Sequence, residues 1–376
     1  MKASELLDYL KRLYKKDPKT PCLLLGSSGI GKSETVRTCA EELAREHGKE
    51  FIDYSDDAAQ EILKAPDKYF LFVDFRLTEV EPSDLIGIPR VNGNYVRYYP
   101  MLWARCLQAA SGILFLDERC VVPGCLVVRL PHTRQITNVQ RDDVLSTAYK
   151  IALDRKVGQI SINGGTFIIA AGNTPEDSAI ARPLPAPLLN RFRVIRVDPP
   201  SLKDWVDYMD RKYGDAWDKR VYAFLAAYEG ENYLVQKPDD AETLEQFATP
   251  RTWTILAARS LDLEKDAPTL VGRELGLKFR TFLRARVDVN EIIKNPDKYD
   301  SLSLDQKYML TIQLANVSDI KKIIHVAVKI LRDRGELFIV FARALPKKSR
   351  RKVLKAVKDA APDAFESIAE AASVVA

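Results

Sequence analysis

A doubly wound parallel α/β sheet followed by an all-α region is the fold this sequence predicts, and three observations carry that expectation. Between about residues 20 and 198, short apolar runs alternate with helical patterns. The runs Cys22–Leu25, Tyr69–Phe75, Ile113–Leu116, Thr166–Ala170 and Phe192–Val197 are nearly continuous in apolar residues, as strands buried on both faces are. Beyond residue 201 almost no period-2 alternation remains, and apolar residues recur every three or four positions.

The elements follow in order. Leu6, Tyr9, Leu10, Leu13 and Tyr14 define one face of an amino-terminal helix. Asp17-Pro18 closes it, because a residue before proline disfavours the α region. Ser33–Glu46, Pro100–Ala110 and Asp142–Asp154 read as the helices between strands, and Asn92-Gly93 between Val91 and Tyr95 signals a two-residue hairpin. Asp198-Pro199-Pro200-Ser201 marks a boundary, with Ser201 placed to cap the next helix. Helices are then expected over Trp205–Tyr213, Val221–Tyr228, Thr252–Leu263, Leu270–Arg286 and Val317–Arg332. The expected organisation is an amino-terminal helix (1–17), an α/β core (18–198), a helical lid (199–300) and a carboxy-terminal helical extension (301–376).

Composition bounds the function. The chain has 376 residues, a formal charge of +5 and 46% hydrophobic residues, enough for real cores and too weakly basic to demand a polyanionic partner. No apolar run is long enough to span a membrane, and the charged amino terminus lacks the pattern of a signal peptide. Five cysteines at irregular spacing form no disulfide framework and favour a reducing compartment, so a cytoplasmic location is expected.

The sharpest motif is Gly26-Ser27-Ser28-Gly29-Ile30-Gly31-Lys32-Ser33, followed by Glu34. It fits the phosphate-binding pattern G-x-x-x-x-G-K-[ST]. Its glycines let backbone N–H groups turn around phosphate oxygens, and the following helix offers its positive end. Lys32 is placed to reach the β- and γ-phosphates, and the Ser33 hydroxyl to hold Mg²⁺. A second apolar strand ends in Asp117-Glu118. An acid delivered beside the first strand suits the magnesium arm of such a site, with Asp117 on the metal and Glu118 polarising the attacking water.

With both motifs placed, the chain resembles an AAA+ ATPase, and within that class the MoxR family, over roughly residues 18–300. Glu81–Pro100 is similar to the family's insertion within helix 2, which implies a hairpin projecting toward a central pore. Thr166–Ala171 with Gly172-Asn173-Thr174-Pro175 resembles the sensor-1 strand, which implies that Asn173 meets the γ-phosphate or the attacking water. Pro183–Phe192 resembles the segment carrying the arginine finger, so Arg191 is expected to act on the neighbouring subunit's nucleotide. Thr249-Pro250-Arg251-Thr252-Trp253 resembles sensor 2, with Arg251 facing the phosphates in cis. The resemblance implies ATP and Mg²⁺ as cofactors, a ring of subunits (a hexamer in the family), and remodelling of a protein client. A von Willebrand factor A-domain protein is the partner it suggests.

The chain departs from that pattern at Ser28, where the family usually has proline, and after Glu118. There seventeen residues, Arg119 to Gln135, precede the expected continuation at Ile136-Thr137-Asn138. Cys120, Cys125 and His132 within them supply three ligands and no obvious fourth, so inert packing is favoured over zinc. Two other readings stay open: a nucleic-acid-stimulated motor using the basic run Pro346–Lys355, and a nucleotide-binding scaffold whose hydrolysis the insertion disables. That basic run lacks interleaved aromatics, so nucleic acid is the less favoured partner for it. The tyrosines before Trp103 are expected to serve core and hairpin packing.

Overall fold

The computed structural model describes residues 1–77, 79–117, 142–173, 189–236 and 246–368. They fall into two units, Met1–Pro199 and Pro200–Ala376.

The first unit is built on a parallel sheet of six strands: β1 (Cys22–Leu25), β2 (Glu50–Asp53), β3 (Tyr69–Arg76), β6 (Gly112–Asp117), β9 (Thr166–Gly172) and β10 (Arg193–Arg196). Their order across the sheet is β10-β1-β9-β6-β3-β2. Side chains alternate across a strand, and here both faces are buried. Leu23, Leu71, Leu114 and Ile168 join one core, whereas Cys22, Leu24, Phe70, Ile113 and Phe167 join the other. Near-continuous apolar strands thus follow directly from a sheet with no wet face.

Helices α1 (Ala3–Lys16) and α2 (Lys32–Glu46) cover one face; α3 (Asp56–Lys64), α5 (Leu102–Ala109) and α6 (Asp142–Asp154) cover the other. The amino-terminal helix is anchored by Leu6 and Leu10, both fully buried, and by the Tyr14 hydroxyl donating to Gly165 O at 2.9 Å. Lys11 bridges it to Glu42 and Glu46 of α2 at 2.7 and 2.6 Å.

Three elements of this unit differ from the sequence reading. Strand β2 was not expected, because its four residues, Glu-Phe-Ile-Asp, carry an acid at each end and sit at the sheet edge. The two-residue strands β7 (Lys156–Val157) and β8 (Ile160–Ser161) are too short for any period to show. The hairpin does form after the short helix α4 (Pro82–Ile86), as β4 (Ile88–Asn92) and β5 (Tyr95–Tyr99), with Asn92 paired to Tyr95 around the turn. Trp103 is core, 3% exposed, with its indole N–H on Asp84 O, but Tyr95, Tyr98 and Tyr99 are 61, 48 and 45% exposed. The hairpin tyrosines therefore do not pack as expected: a two-stranded ribbon has no second layer to bury them.

The regular elements among the second unit's described residues are all helices. It comprises α7 (Leu202–Tyr213), α8 (Lys219–Ala227), α9 (Pro250–Arg259), α10 (Leu263–Leu270), α11 (Arg273–Leu283) and α12 (Val289–Lys294). After them come α13 (Leu304–Ala315), α14 (Ile320–Asp333), α15 (Gly335–Ala344), α16 (Lys347–Ala360) and α17 (Pro362–Glu366). Ser201 caps α7, accepting the Asp204 N–H while the Asp204 carboxylate accepts the Ser201 N–H. The helix expected over Leu270–Arg286 runs over Arg273–Leu283, and a further, unexpected helix, Leu263–Leu270, precedes it, the two separated at Val271–Gly272, where Gly272 has φ +93°. One core gathers residues on both sides of position 300, from Trp205 and Trp253 to Tyr308, Phe341 and Val357. No helix among the described residues is long and apolar enough to cross a membrane.

Cys22, Cys39 and Cys106 are free and buried. Burial pushes the thiols of Cys22 and Cys39 up to about 12 and that of Cys106 to about 11. These three should therefore remain unlabelled by iodoacetamide at pH 8 in the folded chain and become labelled once it is unfolded in denaturant. Peptide mapping by mass spectrometry reads the result, and rapid native labelling of Cys22 or Cys39 would contradict the packing.

Candidate functional site

The site lies at the carboxyl ends of β1, β6 and β9. The chain leaves β1 at Leu25 and turns through Gly26–Gly31 into α2. Gly26 is required by close approach: a Cβ there would lie 2.5 Å from Val197 O and 2.9 Å from Ile30 Cδ1. Gly31 sits at φ +100°, a conformation L side chains resist, and so delivers the chain into the first turn of α2. Thr35 closes that turn, its N–H and hydroxyl both donating to Gly31 O, at 2.9 and 3.0 Å. The N–H groups of the first helical turn lack intrahelical acceptors, and the helix dipole makes this end positive.

Lys32 is 8% exposed and folds back over the loop. Its ammonium donates to Gly26 O at 2.6 Å, Ser27 O at 2.9 Å and Asn173 Oδ1 at 3.3 Å. The Ser33 hydroxyl donates to Asp117 Oδ2 at 2.8 Å. Asp117 closes β6 and is 3% exposed, a carboxylate removed from water. Asn173 follows β9 directly. Five residues predicted from two separate motifs and one strand end, Gly26, Lys32, Ser33, Asp117 and Asn173, are thus joined by hydrogen bonds or close backbone contact.

One feature of the arrangement differs from the sequence reading. The acid-bearing strand does not pair with β1; β9 lies between them, in register Leu25↔Gly172 and Asp117↔Ala171. The Gly26 N–H donates to Gly172 O at 3.3 Å, so β9 supports the start of the loop as well as carrying Asn173. Ser33 still reaches Asp117 because α2 begins above the sheet and crosses back over it. In the sequence Gly172 carries no role of its own; its only signal is its position before Asn173.

The remaining predicted residues lie around this cluster or away from it, Ser27 touching it through its carbonyl, which accepts from Lys32. Ser27, Ser28, Gly29 and Ile30 form the loop, with Ile30 2% exposed in the core beneath it and Ser28 exposed. Glu34 lies in the first turn of α2 and is half-buried. Arg191 is exposed in the turn before β10, while its neighbour Phe192 is anchored edge-on to Tyr149 at 5.8 Å. Arg251 belongs to the second unit, exposed in the first turn of α9, which Thr249 caps and Pro250 starts. Glu118, the Arg119–Gln135 segment with Cys120, Cys125 and His132, and Asn138 lie outside the described residues.

A strand, a glycine loop and a helix, with the loop lysine over the loop and the helix serine on an acid from the same parallel sheet, define a P-loop nucleoside-triphosphatase fold, here followed by an all-α region. No family model matches the chain, and no curated protein sequence does. Among solved structures it is similar to PCH-2 of C. elegans at 11% identity and TM-score 0.28, over 76% of this chain and 64% of that one. AMPPCP-bound DnaA from Aquifex aeolicus is similar at 14% identity and TM-score 0.28, over 96% of this chain and 89% of that one. The Hsp104–ADP complex of S. cerevisiae is similar at 16% identity and TM-score 0.31, over 99% and 47%. The chain thus spans under two thirds of the PCH-2 and Hsp104 chains. Likenesses this distant carry no weight; the fold rests on the strand order and the loop.

The donor set fits a nucleotide with a hard divalent cation. A buried carboxylate and a hydroxyl 2.8 Å apart are oxygen ligands of the kind Mg²⁺ takes. Among the described residues no group of three His, Cys, Asp or Glu converges to cage a metal. A cation here would therefore share its shell with phosphate oxygens and water. Lys32→Ala should remove measurable binding of a fluorescent ATP analogue. Asp117→Asn should retain metal-free binding while the Mg²⁺-dependent gain shrinks at least tenfold. Titrations with and without Mg²⁺ check both, and an unchanged Mg²⁺ gain in Asp117→Asn would remove Asp117 from the metal's ligands.

Proposed function

We propose that this chain is an AAA+ ATPase of MoxR type, hydrolysing ATP with Mg²⁺ in a ring of subunits to remodel a protein client. The observation that carries the nucleotide reading is the junction of Lys32, Ser33, Asp117 and Asn173 at the carboxyl edge of the sheet.

In this reading the first-turn amides of α2 take phosphate oxygens, and Lys32 exchanges its loop carbonyls for the β- and γ-phosphates. Ser33 and Asp117 hold Mg²⁺, which when bound neutralises charge on those oxygens. Asn173, already within 3.3 Å of the lysine ammonium, orients the γ-phosphate or the attacking water. Glu118, one residue after Asp117, is the base that polarises that water.

Arg191 serves as the finger supplied to the neighbouring subunit, and Arg251 as the sensor within the same chain. Exposure of both guanidinium-bearing residues is compatible with these roles. The MoxR assignment, the client and a von Willebrand factor A-domain partner rest on the sequence segments 81–100, 183–192 and 249–253. A cytoplasmic location rests on cysteine usage.

A finger acting in trans makes turnover depend on assembly. Hydrolysis per subunit should rise with protein concentration, and Glu118→Gln should bind ATP without turning it over. Arg191→Ala should keep ATP affinity and lose ~10³–10⁵ in rate. Steady-state phosphate release across a concentration series checks all three. A normal rate in Arg191→Ala would refute the finger. ATP binding without turnover in the intact chain, restored by deleting residues 119–135, would establish a scaffold regulated by that segment.

A further inference from the structure

The hairpin β4–β5 stands out among the described elements of the first unit: all ten of its strand residues are exposed. Its register places Ile88 opposite Tyr99, Arg90 opposite Arg97 and Asn92 opposite Tyr95. Directly opposed residues, and those two apart along a strand, share a face. One face therefore reads Tyr95, Arg97, Tyr99 along β5, with Arg90 across from Arg97. Ring, guanidinium and ring succeed one another at about 7 Å intervals.

Two arginines directly opposed are a destabilising pair. Both guanidinium groups are instead drawn to one ring, 5.6 Å and 6.0 Å from the centroid of Tyr99. No acid lies anywhere in Ile88–Tyr99, and neither arginine pairs with a carboxylate among the described residues. Two cations held together without a counter-charge call for a polyanion. Tyr95 and Tyr99, 61 and 45% exposed, offer flat π-faces on either side of them.

We propose that this hairpin face binds single-stranded nucleic acid, with bases stacked on Tyr95 and Tyr99 and phosphates on Arg90 and Arg97. Aromatic rings interleaved with cations are what a single strand needs, since every base has a π-face and every nucleotide a charge. The denser basic run on α16 lacks this feature: Val353 and Val357 face the core, and Arg350 is occupied by the carbonyls of Arg343 and Leu345. An acidic polypeptide would satisfy the arginines but has no use for the flanking rings. The assignment goes beyond the hydrolysis reading and does not require it.

Fluorescence anisotropy of the full-length chain with a labelled oligothymidylate of about twenty nucleotides, without ATP, tests it. Wild type should bind, with affinity falling as salt rises. Arg90→Gln/Arg97→Gln should flatten the log–log salt slope by about 1.4, the loss of two phosphate contacts. Tyr95→Ala and Tyr99→Ala should each weaken binding roughly 5- to 150-fold, while Tyr95→Phe, which keeps the ring, should bind like wild type. Because these side chains are exposed, all variants should melt with the wild type, read by circular dichroism. Absence of wild-type binding at low salt would overturn the proposal. So would undiminished binding by the hairpin variants, which would place the contact elsewhere. Preference for polyglutamate, insensitive to Tyr95→Ala, would overturn it in favour of an acidic polypeptide.

Discussion

The hydrogen bond from the Ser33 hydroxyl to Asp117 Oδ2 is where the architecture of the first unit meets its chemistry. A carboxylate that is 3% exposed is costly unless something answers its charge and lone pairs. The chain meets that requirement only because three separate segments arrive at one edge. Strand β6 must end at residue 117, α2 must begin at residue 32, and the loop before it must turn within six residues. Gly26 and Gly31 allow the turn, and the Lys32 ammonium, clamped by two loop carbonyls and Asn173, brings positive charge to the same edge. Each of these placements contributes to how that buried charge is answered. The site is thus an outcome of packing as much as of motif.

Packing on both sides of the sheet is what keeps that edge rigid. Each strand sends alternate residues into two different cores, so β1, β6 and β9 cannot slip by one position without turning both cores inside out. The amino-terminal helix contributes on the loop side, where Leu6 and Leu10 share a core with Ile30, the loop residue that points inward. Preorganisation of this kind suits electrostatic work on phosphates, because the donors need not move when charge develops. The second unit solves a different problem with the same means. Its helices are capped by Ser201, Asp218, Thr249, Asp262, Asp288 and Ser303, and its buried Arg343 pairs with Asp207 at 2.7 Å.

The β4–β5 hairpin breaks the rule that the rest of the first unit obeys. Ile88, Val91 and Val96 are 49, 79 and 58% exposed, and three tyrosines stand out with them. Surface left this apolar on a two-stranded ribbon is not explained by folding, since burying it elsewhere would lower the free energy. Its chemistry, aromatic and cationic without an acid, is what distinguishes it from an ordinary connecting turn.

Much of this molecule was legible in the residues alone. The glycine loop, the apolar strands, the two-residue hairpin turn and the Ser201 cap all depend on contacts within a few positions, which a linear pattern records. Short edge strands such as Glu50–Asp53 were not legible, because four residues carry no period, and the short helix Leu263–Leu270 was hidden between two longer helical patterns. Tertiary structure alone decided that β9 separates β1 from β6. A strand's hydrogen-bonding groups are alike on both edges, so its own residues do not name its neighbours. That choice of neighbour, made by the packing of the whole sheet, is what brings Asn173 to Lys32 and leaves Asp117 within reach of Ser33.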